Sequence, residues 1–203
     1  MNSALEFEIP LVPLRFRWDV FPAAPPHVDE GSLGFSSPAR TDLFADPSGP
    51  APVLDAPRAL SPVTGDFQLV ARVTAELREL FDAGALLLWC AAERWAKLAL
   101  ERSPERKPTI VSVVTRGTSD DCNSCALEHP ASWLRISRLG AACAFHVSDD
   151  GTTWRLIRHF AIAGWEPLSA GFLVQSPRGR GTAAAFSEVR FLPVALEDLR
   201  SGA

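Results

Sequence analysis

Lys97 and Glu101 lie four apart in ERWAKLALE (residues 93–101), a stretch that alternates two sets of side chains. On a strand, that spacing puts both side chains on one face. By the same alternation Arg135 in WLRISRL and Ser112 in TIVSVVTR point outward, with Trp95 and Trp133 alongside. If these strands are neighbours, Lys97, Glu101, Ser112 and Arg135 form a polar cluster flanked by two indoles. An aromatic face and the rigid fork of Arg suit a polyhydroxylated ligand or a carboxylate. The same residues also describe a solvated sheet face, where exposed charge pairs contribute under about 1 kcal/mol. Glycoside hydrolysis needs two carboxylates about 5–10 Å apart. Glu101 with Asp120 or Asp121 is the pairing on offer, nothing in the spacing demands it, and no catalytic residue is assigned.

DDCNSC (residues 120–125) holds Cys122 and Cys125 with metal-ligand spacing. Zinc needs two further ligands. His129 with Asp120 or Asp121 is the available completion, but no second CxxC or HxxxH occurs. A polar loop is the expectation, with no metal and no cofactor assigned. Cys90 and Cys143 sit in apolar text and read as buried free thiols. SDDGTTW (residues 148–154) nearly spells the S-x-D-x-G-x-T-W Asp-box of sialidase-like propellers, one residue short. Asp150-Gly151 between two alternating stretches is a hairpin signal, and predicts a type I′ turn. GRGT (residues 179–182) lacks the Lys-Ser/Thr of a phosphate loop and reads as a hairpin.

The elements that must position these residues are strands. FQLVARVTA places Phe67, Leu69, Ala71 and Val73 on one face; GALLLWCA is a continuous apolar run. About nine strands are expected from residue 66 onward, without crossover helices, which means an antiparallel sandwich or barrel. A short turn of helix over residues 75–81 is the most helix allowed. Eleven of the 17 prolines precede residue 63. Residues 1–62 are therefore expected to be irregular chain with short edge strands, packed on a single domain spanning 1–203.

The charge balance of 20 basic against 24 acidic residues, net −4, argues against nucleic acid as a partner. No apolar run approaches the roughly 20 residues of a membrane span. The first residues lack a positive, apolar leader, so a cytoplasmic location is expected.

Seven blocks follow one order: TDLFADPSG, GDFQLVARV, FDAGALLLW, ERWAKLALE, SVVTRGTSD, WLRISRLG and SDDGTTW. This order resembles a bacterial family of uncharacterised concanavalin A-like domains also labelled "regulation of enolase protein", over roughly residues 31–191. The resemblance implies a jelly-roll sandwich of two curved antiparallel sheets whose concave face binds sugars in many relatives. Two departures stand out. After Ser119-Asp120 the family usually has Trp then Ser, where this chain has Asp121-Cys122; the E-x-D-x-x-E strand of related glucanases is absent. The expected function is a non-catalytic carbohydrate- or small-metabolite-binding domain. Its expected ligand-binding residues are Lys97, Glu101, Ser112, Arg135, Trp95, Trp133 and Asp120. The alternatives are a regulatory sandwich with a protein partner, such as a metabolic enzyme, and a glycoside hydrolase-like enzyme.

Overall fold

Alternation in the sequence becomes strands throughout the computed structural model, which describes residues 6–49 and 51–203. Residues 1–5 and Pro50, assigned above to the Pro-rich N-terminal part, lie outside the described residues. In chain order the strands begin with β1 (Glu6–Glu8), β2 (Arg15–Val20), β3 (His27–Asp29), β4 (Ser32–Pro38), β5 (Leu43–Phe44) and β6 (Val53–Leu54). They continue with β7 (Arg58–Val63), β8 (Phe67–Ala75), β9 (Ala83–Ala91), β10 (Arg94–Arg102), β11 (Pro108–Arg116) and β12 (Thr118–Ala126). They end with β13 (Ala131–Leu139), β14 (Ala142–Ser148), β15 (Arg155–Ala161), β16 (Leu168–Gln175) and β17 (Gly181–Leu192). One sheet runs β1-β2-β7-β16-β9-β10-β11-β12 and the other β15-β14-β13-β8-β17-β4-β3, all pairs antiparallel. The chain crosses repeatedly between them, and β5 and β6 form a separate hairpin.

The core lies between the two sheets. β8 contributes Phe67, Leu69, Ala71 and Val73; β10 contributes Ala96, Leu98 and Leu100, on the parity expected. Phe172 on β16 sits between Phe16 and Phe186, with ring centroids 5.3 and 4.8 Å away. Burying such rings stabilises each by about 1.5–3 kcal/mol before packing is counted.

The N-terminal part is more regular than expected. It supplies β1, β2 and β7 to the first sheet and β3 and β4 to the second. Its prolines sit where a strand needs no amide. Pro10 and Pro13 lie between β1 and β2, and Pro22, Pro25 and Pro26 between β2 and β3. Pro62 lies past Leu60, which pairs with Arg17 at that end of the β2–β7 ladder.

Two local expectations change, and the short helix allowed over 75–81 is not used. No helix forms over 75–81: β8 runs to Ala75, and the Asp82 carboxylate then accepts the Arg78 and Glu79 amides, closing a turn. DDCNSC is no loop but most of β12, the edge strand beside β11. Asp150-Gly151 is no two-residue type I′ hairpin. Six residues separate β14 from β15, and Gly151 has φ +76° while Asp150 is not left-handed. The Asp150 carboxylate accepts the Thr152 and Thr153 amides and the Ser148 hydroxyl, which holds this longer turn.

Phe172→Ala is expected to lower unfolding stability by about 3–5 kcal/mol in urea denaturation, because its ring joins both sheets.

Candidate functional site

The concave face of the first sheet is built from aligned rows. Lys97 stands opposite Leu87 on β9 and Val113 on β11, and Val113 opposite Asp121 on β12. In the next row Ala85, Ala99, Val111 and Asn123 follow one another. In the third, Gln175 on β16 faces Ala83, which faces Glu101. Ala83, Ala85 and Ala99 in these rows are wholly buried, and Val111 and Val113 are the apolar residues that reach the open side.

Segment 41–56 folds over part of this face. Leu43 and Ala56 are fully buried against Trp95, Leu87 and Val113. Ala45 is tied to the edge strand: its amide donates to the Ser119 hydroxyl, and its carbonyl accepts the Ser119 amide. What stays open is a recess of about 640 Å³, lined by Lys97, Glu101, Asp42, Asp121, Asn123 and Gln175 among others, with Phe44 and Phe81 as its aromatic sides. Arg40 and Arg178 also line it.

Lys97 is 1% exposed. Its ammonium donates to the Leu43 carbonyl and to Gln175 Oε1, both at 2.7 Å. Burial pulls its pKa below the ordinary value, opposed by the charges of Asp42, Glu101 and Asp121. Glu101 is 8% exposed, and burial pushes it up to about 7. Among the described residues its carboxylate has no ion pair within 4.0 Å and no hydrogen-bond partner. Asp42 is raised as well, by burial first. A buried cation and a buried acid thus share one face without closing a salt bridge.

The other expected residues lie elsewhere. Trp95 is on the concave face but wholly buried beneath Leu43, its indole donating to the Ala92 carbonyl, so it presents no stacking face. Ser112 pairs with Leu98, not Lys97, and therefore points between the sheets. Asp120 shares that parity and meets Arg158 at 3.1 Å. Arg135 and Trp133 belong to β13, whose neighbours are β8 and β14; they sit on the outer face of the second sheet. The alternation of β10 and β13 was read rightly; the face of Ser112 on β11 and the strand neighbours were not. Asp42, Asn123 and Gln175 were missed as lining residues. Reading 118–126 as a strand would have placed Asn123 two residues from Asp121, on the same face. Asp121 itself occupies the position where the resemblance puts Trp, so a carboxylate lines the recess there. Among the described residues no group of three or more metal-ligating side chains comes together, and Cys122 and Cys125 are free.

Two curved antiparallel sheets crossed in this order, with a recess on the concave side, define a jelly-roll β-sandwich of the concanavalin A-like kind. The chain belongs to the family described as "Protein of unknown function (DUF1349)", whose model matches residues 18–194. No curated protein matches it. Among solved structures, a functionally unknown protein from Saccharomyces cerevisiae is similar, with TM-score 0.81 and 20% identity over 90% of this chain and 97% of that one. The GH43 BlXynB protein from Bacillus licheniformis has TM-score 0.65 and 14% identity over 81% of this chain and 33% of its own. The xylan beta-1,4-xylosidase from Bacillus halodurans C-125 has TM-score 0.64 and 10% identity over 86% and 38%. The chain thus spans about a third of these two enzymes, and at such identities the likeness is one of fold. No helix among the described residues is long and apolar enough to cross a membrane.

Folding raises Glu101 from 4.5 to about 7, so between those values the folded state holds more protons than the unfolded one. Stability is then fully present below pH 4.5 and declines as pH rises to 7, by about 3 kcal/mol in all. Glu101→Gln keeps the shape of the neutral acid. It is expected to flatten this decline and to exceed the wild type in stability at pH 8, as read by urea denaturation at pH 5 and pH 8.

Proposed function

We propose that the chain binds a small polyhydroxylated ligand, a carbohydrate or sugar-like metabolite, in the recess between Lys97 and Glu101. The observation that carries this reading is the open gap between those two groups. Both are more than nine-tenths buried, yet both line the open recess, with Val111 and Val113 as the apolar residues beside them. An occupant that accepts from Lys97 and donates to Glu101 would satisfy both, and adjacent hydroxyls of a sugar do this. Asn123 supplies a further donor and acceptor, while Phe44 and Phe81 offer apolar sides for a ring face. Four carboxylates (Asp42, Asp46, Glu101 and Asp121) line the recess against Lys97, Arg40 and Arg178, which disfavours an anionic ligand. The fold shared with domains of carbohydrate-active enzymes agrees with this reading without deciding it.

A hydrolase reading is favoured by one observation, the rise of Glu101 toward 7, which is where a general acid works. It needs a second carboxylate across the bond, and Asp42 and Asp121 line the same recess. Release of phenol from aryl glycosides would establish turnover; saturable binding without release supports the binding domain. The regulatory reading calls for a flat apolar face, whereas the concave sheet offers a charged recess.

Calorimetric titration with a panel of neutral mono- and oligosaccharides and polyols tests the proposal. A member of the panel is expected to bind, and Glu101→Ala to weaken it about 10–100-fold, the loss of a hydrogen bond to a charged group. Asp120→Asn, on the other face of β12, is expected to leave affinity unchanged. No binding across the panel, or an unaltered affinity in Glu101→Ala, would overturn it.

A further inference from the structure

The outer face of the second sheet holds a second cluster, far in topology from the recess. Arg135 on β13 and His146 on β14 stand opposite each other in register, with Ser137 and Gln68 paired in the row two residues along. The Trp154 ring lies 4.2 Å from the Arg135 guanidinium. The turn that follows β17 closes over them. Leu196 and Leu199 pack on Ala144, and Gln68 Nε2 donates to the Val194 carbonyl at 3.4 Å. Arg135 Nη2 donates to the Gly202 carbonyl at 2.7 Å, and His146 Nε2 lies 2.8 Å from the Leu199 carbonyl.

Charge and hydrogen bonding are both incomplete beneath this strap. Arg135 is 4% exposed and has no carboxylate within ion-pair distance among the described residues. Burial, and then the nearby charge of Arg190, pull its pKa down to about 10. Of the strap's two acidic side chains, Asp198 is occupied by the amides of Arg200 and Ser201, and Glu197 is exposed and reaches no ion-pair partner among the described residues. Seven buried side-chain polar atoms lack a partner among the described residues, and three of them meet here: Arg135 Nε, Ser137 Oγ and His146 Nδ1. A buried guanidinium is ordinarily paired. Here Nη2 donates to the Gly202 carbonyl and Nη1 to Gln68 Oε1 at 3.5 Å, neutral acceptors that leave the charge unneutralised and Nε without a partner.

We infer that Arg135, His146 and Trp154 form an oxyanion-binding site, and that the strap over residues 194–203 occupies it with two carbonyl oxygens. The Gly202 and Leu199 carbonyls take the places of two oxygens of a carboxylate or phosphate. Arg135 Nη2 and His146 Nε2 donate to that anion when the strap lifts, and the Trp154 ring keeps the guanidinium in plane. Occupancy and strap closure are mutually exclusive, so an anion opens the strap and the strap sets the anion's apparent affinity.

Gly202 is the means of test. Its φ is +78°, and a Cβ there would lie 2.7 Å from Arg135 Nη2 and 2.9 Å from the Trp154 Cβ. Gly202→Ala in the full chain therefore biases the strap open. Titrate inorganic phosphate, and separately acetate, against chloride at equal ionic strength. Follow the His146 ring by NMR and amide exchange over residues 196–203. In the wild type, one of the two anions is expected to shift the His146 ring saturably and to speed exchange of the strap several-fold. Gly202→Ala should saturate at on the order of tenfold lower anion concentration. Adding Arg135→Gln should abolish the response while the fold persists by circular dichroism. The phosphate and acetate arms tell a phosphate-bearing ligand from a carboxylate. If Gly202→Ala does not fold, the wild-type titration decides alone. A strap whose exchange follows ionic strength only, with no saturable His146 shift by either anion, overturns the inference.

Discussion

A buried ammonium organises the concave side of this sandwich. Lys97 projects from the middle of β10 into a space it shares with apolar side chains, at 1% exposure. Leaving such a charge unsatisfied costs several kcal/mol, so its donors must find partners. They find the Leu43 carbonyl above and Gln175 beside, each at 2.7 Å. Those two bonds pin segment 41–56 over one end of the sheet and orient the end of β16. Without the cation, the Leu43 carbonyl would be left buried with no donor, and the cover over Trp95 would lose an anchor.

The recess is what that cover leaves open. Its apolar floor is Val111 and Val113 on β11, between Lys97 and Glu101 on β10 and Asp121 and Asn123 on β12. Keeping a cation and an acid buried and apart costs stability, which the two-sheet core offsets through Phe172, Phe186 and the alternating faces of β8 and β10. The first cause of the raised Glu101 is the same burial that lowers Lys97. One geometry therefore sets both the polarity of the recess and the pH dependence of the fold.

The period-two text from Phe67 onward was enough to read the sandwich, and it set the parity of β8, β10 and β13 correctly. Parity says which residues share a strand face; it does not say which strands are neighbours. Lys97 and Glu101 share one strand, so their common face was legible. Ser112 and Arg135 required knowledge of register and sheet membership, which long-range pairing decides. Ser112 lies one residue from the position opposite Lys97, and a shift of one residue reverses the face. Segment 41–56 was hidden for another reason: its prolines and short runs carry no period, and its place over Trp95 depends on the Lys97 bond. The same gap concealed Asp42. Arg135 and Trp154 were equally invisible as a pair, since β13 and the loop after β14 meet only through the fold.

The central claim is that the recess lined by Lys97, Glu101, Val111 and Val113 is where a neutral polyhydroxylated ligand sits. Carbon-13 labelling of valine methyls, followed by NMR during a saccharide titration, reads that space directly. The account predicts saturable shifts of the Val111 and Val113 methyls, while Val73 and Val147, on the other sheet, stay still. Saturable shifts confined to methyls away from the concave floor, or no shift with any sugar, would contradict it.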